Sequence, residues 1–270
     1  MKSVLITGAT GMIGQKLRAH LAASGGYEMR LLCLNPSADP QVMTADLATY
    51  DETWARRFEE VDAVIHLAGA PSPASTWAVV QRDNIDLSLN VFRAAERHGA
   101  RRVIFASSNW VMAGHRFDLA RLTTDLAPNP INPYGAGKLF IERAGLDLHS
   151  RAGISFIALR IGFCQHTDGN IPGPHMAHGL WGQQMWLSDR DLCTGFERAV
   201  LADDVGFAVL NLMSQNVGMR WDLAETERVI GYRPQDGHTP VSDPAAADRD
   251  EVSRAMMDFE SRFRDATGAW

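Results

Sequence analysis

Short, unbroken apolar runs alternate along this chain with longer stretches whose apolar positions recur every three or four residues. The runs cover residues 4–7, 30–34, 42–44, 63–67, 102–106 and 155–159. None shows the in–out alternation of a strand with one wet face, so they predict strands covered on both sides, as in a parallel sheet. The helical patterns between them cover 12–23, 77–98 and 134–151. In the second, Val80, Ile85, Leu87, Val91 and Ala94 gather on roughly one face. Strands alternating with crossover helices predict an α/β protein with a doubly wound, Rossmann-type parallel sheet.

After Arg160 the pattern changes. Residues 163–187 are rich in Gly, Pro, His and Trp without a period and predict an irregular segment facing a substrate. Residues 189–201 and 225–230 predict helices, 207–213 a strand, 233–248 a loop and 251–264 a final helix.

Composition narrows this little. The chain has 270 residues, enough for one full core with an appendage, and an ordinary apolar content. A net charge of −6 argues against a general nucleic-acid binder. No apolar run reaches transmembrane length, and the first residues read as a strand and not as a leader. Cys33, Cys164 and Cys193 are odd in number and far apart, which fits a reduced, cytoplasmic setting better than a disulfide framework or a metal site. His175 and His178 lack a matched carboxylate or cysteine cluster and share their segment with Pro172 and Pro174, so no metal centre is expected.

Chemistry enters with Gly8-Ala-Thr10-Gly11-Met12-Ile13-Gly14, directly after the first strand and opening the first helix. Glycines so placed permit a tight turn, close approach of backbone to a pyrophosphate and close helix–strand packing, while the helix N-terminus offers unpaired N–H groups. A glycine turn without a ligand is the plainer alternative. An acidic residue at the end of the second strand would favour NAD, and the run Leu31–Asn35 has none. Asn35 is the polar group there, and Arg30 and Lys16 are nearby cations, so NAD and NADP both stay open. Asp46 and Leu47 are candidates for adenine contacts, with a turn cap as the alternative for Asp46. Leu67, Ala68 and Gly69 end the fourth strand with small residues that let backbone approach a cofactor. Tyr134 and Lys138, four apart, share one helix face.

The glycine loop, His66-Leu-Ala-Gly69, Asn84, Phe105-Ala-Ser-Ser108 and Tyr134/Lys138 together resemble an extended short-chain dehydrogenase/reductase of the NAD-dependent epimerase/dehydratase type, over about residues 1–165. Phe105–Asn109, Leu159–Cys164, Trp186–Asp191 and Ile230–Pro234 are similar to uronate dehydrogenases, which oxidise hexuronic acids with NAD. The resemblance implies a Rossmann domain over 1–162 and a small substrate-binding region over 163–270 that partly returns to it. It also implies a homodimer or higher homo-oligomer through the helices at 77–98 and 134–151, where Ala94, Ala95 and Ala144 would permit close approach.

On this basis Tyr134 is expected to transfer the proton, with the Lys138 ammonium favouring the phenolate. Lys138 and Tyr134 also count among the cofactor contacts, as does Ile161. Ser108 is expected to hold the substrate oxygen, whereas Ser107 faces the other way and reads as structural. Asn84 reads as a pin for neighbouring backbone. Ser72, Ser75, Asn109 and Trp110 are candidate substrate contacts, with a turn role as the alternative for Asn109. The chain departs from the uronate enzymes at Trp110, at residues 179–185, which hold no arginine for a substrate carboxylate, and at the missing acid after the second strand. His175, His178 or Arg190 would have to supply a cation. A pocket of Trp110, Trp181 and Trp186 would suit a bulkier substrate, with Trp186 more simply a core residue. The leading reading is an NAD(P)-dependent dehydrogenase of a small sugar, sugar acid or polyol. Behind it stand a carbonyl reductase of a bulkier or aromatic substrate, a sugar epimerase and a non-catalytic dinucleotide sensor.

Overall fold

The computed structural model describes residues 1–116, 118–165 and 168–242, so the helix expected at 251–264 and the end of the 233–248 loop lie outside the described residues. Seven parallel strands form one sheet: β1 (Lys2–Thr7), β2 (Tyr27–Cys33), β3 (Val42–Thr44), β4 (Ala63–His66), β5 (Arg102–Ser108), β6 (Ser155–Ile161) and β7 (Phe207–Leu212), in the order β3-β2-β1-β4-β5-β6-β7. The order reverses between β1 and β4, where Thr7 pairs with His66; in an open parallel sheet such a reversal leaves a crevice at the carboxyl ends of the strands.

The helices are α1 (Met12–Ser24), α2 (Glu52–Ala55), α3 (Trp77–Val80), α4 (Leu87–Arg97), α5 (Pro133–Ala152), α6 (Gly179–Gln184), α7 (Asp189–Leu201) and α8 (Ala224–Ile230). Alternate strand residues feed two cores. Val4, Ile6, Leu31, Ile65, Ile104 and Ile157 meet Leu17 and Leu21 of α1 and Leu192 and Phe196 of α7. Leu5, Leu32, Val64, Val103, Phe105 and Phe156 meet Val91 and Phe92 of α4 and Ile141 and Leu148 of α5. This is why the strand runs show no alternation: both faces are dry.

Capping sets the helix ends near the crevice. Asn132 accepts a hydrogen bond from Gly135 N at 2.7 Å and Pro133 stands at the first position of α5, a favoured start. Gly153, at φ 70°, closes it. Three glycines let α5 lie tight: a Cβ would come within 2.5 Å of the Trp110 carbonyl at Gly135, 2.4 Å of Val80 at Gly137 and 2.2 Å of Phe156 at Gly145.

Three expectations need correction. The single helix over 77–98 is interrupted by a π-helical segment, Gln81–Asp86. The wider turn brings both Asn84 and Ile85 inside, a feature a 3.6-residue period does not foresee. Part of the irregular segment is helical, as α6, and a 3-10 stretch, Asn109–His115, follows β5. Ala94 and Ala95 are fully buried in their own core, and the exposed large apolar residues of α3, α4 and α5 are Trp77, Val79, Leu89, Phe140 and Leu146.

Candidate active site

The loop between β1 and α1 is shaped for close approach. Gly8 has φ +70°, and a Cβ on it would stand 2.9 Å from Ala68 N. A Cβ on Gly14 would stand 2.3 Å from the Gly8 carbonyl oxygen, and one on Gly11 3.2 Å from the same atom. Helix α1 starts at Gly11 with no side-chain cap and no acidic residue in its first turn. Its N–H groups and partial positive charge therefore face the crevice, and the cradle fits a pyrophosphate. Met12 and Ile13, half-buried, carry that first turn.

Across the crevice, Thr7 Oγ1 accepts hydrogen bonds from the N–H groups of Leu67 and Ala68, each at 3.2 Å, and lies 2.8 Å from His66 Nδ1. His66 Nε2 meets Ser88 Oγ at 2.9 Å. Burial, with the Lys138 charge, holds the His66 imidazole down to about 3, so it is a neutral strut. Asn84 Oδ1 accepts from Ala70 N at 2.7 Å, and a Cβ on Gly69 would crowd that oxygen at 3.1 Å. The pinning role expected of Asn84 is what its bonds provide.

At the end of β2 the structure redirects attention from Asn35 to Cys33. Asn35 is exposed beyond the strand, whereas the Cys33 sulfur lies 2.6 Å from Thr10 Oγ1 of the glycine loop. Burial raises the thiol, but the Thr10 hydroxyl and the N–H groups of Thr10, Asn35 and Leu34 outweigh it and set it below the usual thiol range. The missing acid had hidden this position, because a cysteine in an apolar run reads as core. Neither suggested cation faces the loop. Arg30 donates to the carbonyls of Arg57 and Glu59 at 3.0 and 2.6 Å, and Lys16 pairs with Asp189 at 2.5 Å. Asp46 caps its own turn through Ala48 N at 3.0 Å and pairs with Arg82 at 2.7 Å. The carbonyl of buried Leu47 accepts from Asn90.

Strand β5 runs two residues further than its apolar stretch, so Ser108 ends it beside α5. The Ser108 side chain, whose Oγ accepts from Trp110 N at 3.2 Å, lies near enough to the Tyr134 hydroxyl to ease its ionisation. Lys138, one turn along, donates from Nζ to the Ala106 carbonyl at 2.8 Å and lies 5.6 Å from the Tyr134 ring centroid. The expected acidification of the phenol by this ammonium is corrected here. Burial pushes Tyr134 up to about 12 against the easing effect of Ser108, and pushes Lys138 down to about 8 against the Glu142 carboxylate.

Trp110 packs with Val80, Ile85 and Tyr134. The His178 ring lies 5.5 Å from Trp110 and 6.1 Å from Phe163, centroid to centroid, and completes a wall. Burial and nearby Arg116 hold His178 down to about 4, so it is uncharged near neutrality. Arg116 donates to the His178 carbonyl at 3.3 Å and brings a guanidinium to this wall, a residue the sequence reading passed over. Arg190 is paired with Asp236, its Nε at 3.0 Å, on α7.

The three tryptophans do not form one pocket. Trp181 packs at a tilt against Trp221, centroids 4.5 Å apart, beneath Arg220, and Trp186 is a core residue whose Nε1 donates to the Asn170 carbonyl at 3.0 Å. Asn109 is buried, and its amide donates to the Ile161 carbonyl at 3.0 Å, tying β5 to β6. Ser72 is exposed, with Oγ accepting from Ala74 N at 3.2 Å, and its carbonyl accepts from Ser75 N. Ser107 donates to Glu142 at 2.6 Å, in line with a structural role.

Residues 4–164 match the NAD dependent epimerase/dehydratase family. The chain is 34% identical to an NAD-dependent glucose-6-phosphate dehydrogenase of Haloferax volcanii, covering 86% of this chain and 93% of that protein. It is 31% identical to an L-arabinose 1-dehydrogenase (NAD(P)(+)) of the same organism, covering 89% and 99%. The crystal structure of uronate dehydrogenase from Agrobacterium tumefaciens superposes with a TM-score of 0.73 at 27% identity, covering 96% of this chain and 89% of that one.

Proposed function

The chain belongs to the NAD-dependent epimerase/dehydratase family, and from that premise we propose that it is an NAD(P)-dependent dehydrogenase oxidising a hydroxyl-bearing carbon of a small sugar or sugar acid. The observation that carries the reading is the buried grouping of Tyr134, Ser108 and Lys138, the last one helical turn along α5 from Tyr134, at the carboxyl edge of the sheet. The oxidised nicotinamide, when bound, accepts hydride, and its positive charge favours the phenolate.

The chain's residues do the rest. The glycine loop and the first amides of α1 hold the pyrophosphate. Ser108 hydrogen-bonds the reacting oxygen and orients it toward Tyr134, whose phenolic oxygen takes the proton in oxidation and returns it in reduction. Lys138 places a positive charge beneath that exchange and would hold the nicotinamide ribose when the cofactor is bound. Trp110, Phe163 and His178 exclude water from one side. Cys33 stands where a carboxylate would select NAD, so a 2′-phosphate meets no like charge there and both cofactors are accepted.

Segments 168–187 and 213–242 enclose the substrate. The exposed apolar residues Trp77, Leu89, Phe140 and Leu146 of α3, α4 and α5 pair with a second copy to form a homodimer. Three free, buried cysteines suit a reducing, cytoplasmic compartment. No helix among the described residues is long and apolar enough to cross a membrane. The aromatic wall at Trp110 favours one second reading, reduction of a bulkier carbonyl compound.

A parallel assay of uronic acids, aldoses, aldose phosphates and aromatic alcohols with NAD and NADP separates these readings. Turnover of a sugar or sugar acid with either cofactor is expected. Activity confined to the aromatic compounds would replace the first reading by the second.

A further inference from the structure

Two buried charges under the site take no part in the proton exchange described above. Glu142 and Arg160 are 2% and 3% exposed and form a two-pronged pair, Nε to Oε1 at 3.0 Å and Nη2 to Oε2 at 2.9 Å. Ser107 donates a third bond to Oε1 at 2.6 Å, and Arg160 Nη1 lies 3.3 Å from the Met112 sulfur. Ser107 and Arg160 are register partners on β5 and β6. The cluster thus joins α5, both strands and the 3-10 stretch that carries Trp110.

Stability does not explain it, since a well-packed apolar pair of similar volume usually holds a core as well as a buried ion pair does. Its position is the informative part. Tyr134, Lys138 and Glu142 follow one another at four-residue spacing, all buried on one stripe of α5. Two groups of the cluster adjoin the ends of the machinery: Ser107 precedes Ser108, and Glu142 lies one turn below Lys138.

We propose that Glu142 is a positioning residue for the hydride-transfer site: clamped by Arg160 and Ser107, it fixes the axial setting of α5 and serves as counter-charge to the buried Lys138 ammonium. This rests on the dehydrogenase reading above. The groups facing Lys138 are Tyr134 and Glu142 on its own helix, neutral His66 on β4 and, behind Glu142, Arg160 on β6. Strand β5 contributes the Phe105 ring, 4.7 Å from Nζ, and the Ala106 carbonyl. The interrupted helix on the other side contributes Val80 and Ile85, which carry no charge. Glu142 is therefore the carboxylate that favours the protonated amine.

The test uses the full chain with Glu142→Gln and with Glu142→Gln/Arg160→Gln; the double variant removes both charges and so leaves none buried unpaired. The chain has three lysines, Lys2, Lys16 and Lys138, so 13C-labelled lysine resolves the Lys138 titration by NMR without turnover. In the folded double variant that titration is expected to fall by about half a unit or more, and the alkaline limb of kcat/KM to fall with it. A kcat loss of about tenfold is expected with substrate KM within about threefold. A folded double variant with an unmoved lysine titration and wild-type kcat overturns the proposal. Failure of both variants to fold overturns it too, because the cluster is then only scaffold. If the wild-type protein oxidises no sugar, the functional reading falls, and the NMR arm still decides this one.

Discussion

Replacing Gly14 by alanine isolates the cofactor cradle from the rest of the fold. The added methyl would stand 2.3 Å from the Gly8 carbonyl oxygen and 2.8 Å from Ala9 C, all rigid backbone. That is about 1 Å inside ordinary contact, so the start of α1 must retreat by a comparable distance. Amide hydrogen bonds to a phosphate do not survive such a shift, since N–H···O contacts are lost by about 3.5 Å. Losing one charge-assisted bond costs roughly 1.5–3 kcal/mol, a rise in dinucleotide Kd of about 10–150-fold. Gly25→Ala, at the other end of the same helix, is the control. Nothing lies within 4 Å of its Cβ, but φ +71° and ψ 174° strain any side chain, at a cost of about 1–3 kcal/mol. Both variants should melt lower, Gly25→Ala by roughly 2–10 °C, yet only Gly14→Ala should lose NAD affinity in calorimetry or fluorescence titration. Equal NAD affinity in wild type and Gly14→Ala would refute the cradle, as would an equal loss in Gly25→Ala.

Other expectations follow from the same geometry. Cys33→Asp places a carboxylate among the N–H groups that now lower the thiol; the ratio of kcat/KM for NAD over NADP should rise about 100-fold or more, given roughly 4 kcal/mol per charge pair at about 4 Å in a partly buried site. Lys138 sits at about 8, below its ordinary 10.5, so between these values the unfolded chain binds more protons and stability rises with pH. Denaturant titrations should show wild type gaining about 2 kcal/mol relative to Lys138→Met from pH 8 to 10; a constant difference would mean the amine is not desolvated.

The sheet was legible because strands covered on both faces leave unbroken apolar runs, and the crossover helices between them keep their period. The glycine loop and the Tyr134/Lys138 spacing were legible because local backbone chemistry demands those residues. What escaped depends on contacts between distant positions. Cys33 sits in an apolar run, and only the fold brings its sulfur against Thr10, 23 residues away. Arg160 and Glu142 meet only in the folded chain, 18 positions apart; the one signal in the sequence is that Glu142 continues the four-residue spacing from Tyr134 and Lys138. The π-helical turn leaves only a subtle shift in apolar phase, and Ser107 and Ser108 broke an apolar run that the strand nonetheless continues, since ladder hydrogen bonds do not depend on side-chain polarity.

The most direct test of the account is Tyr134→Phe, which removes one oxygen and keeps the ring packed against Trp110, Val80 and Ile85. NAD affinity should stay within about threefold of wild type while kcat for the best sugar substrate falls by about 10²–10⁴. A variant that binds NAD and turns over at the wild-type rate would contradict the assignment of proton transfer to this phenol.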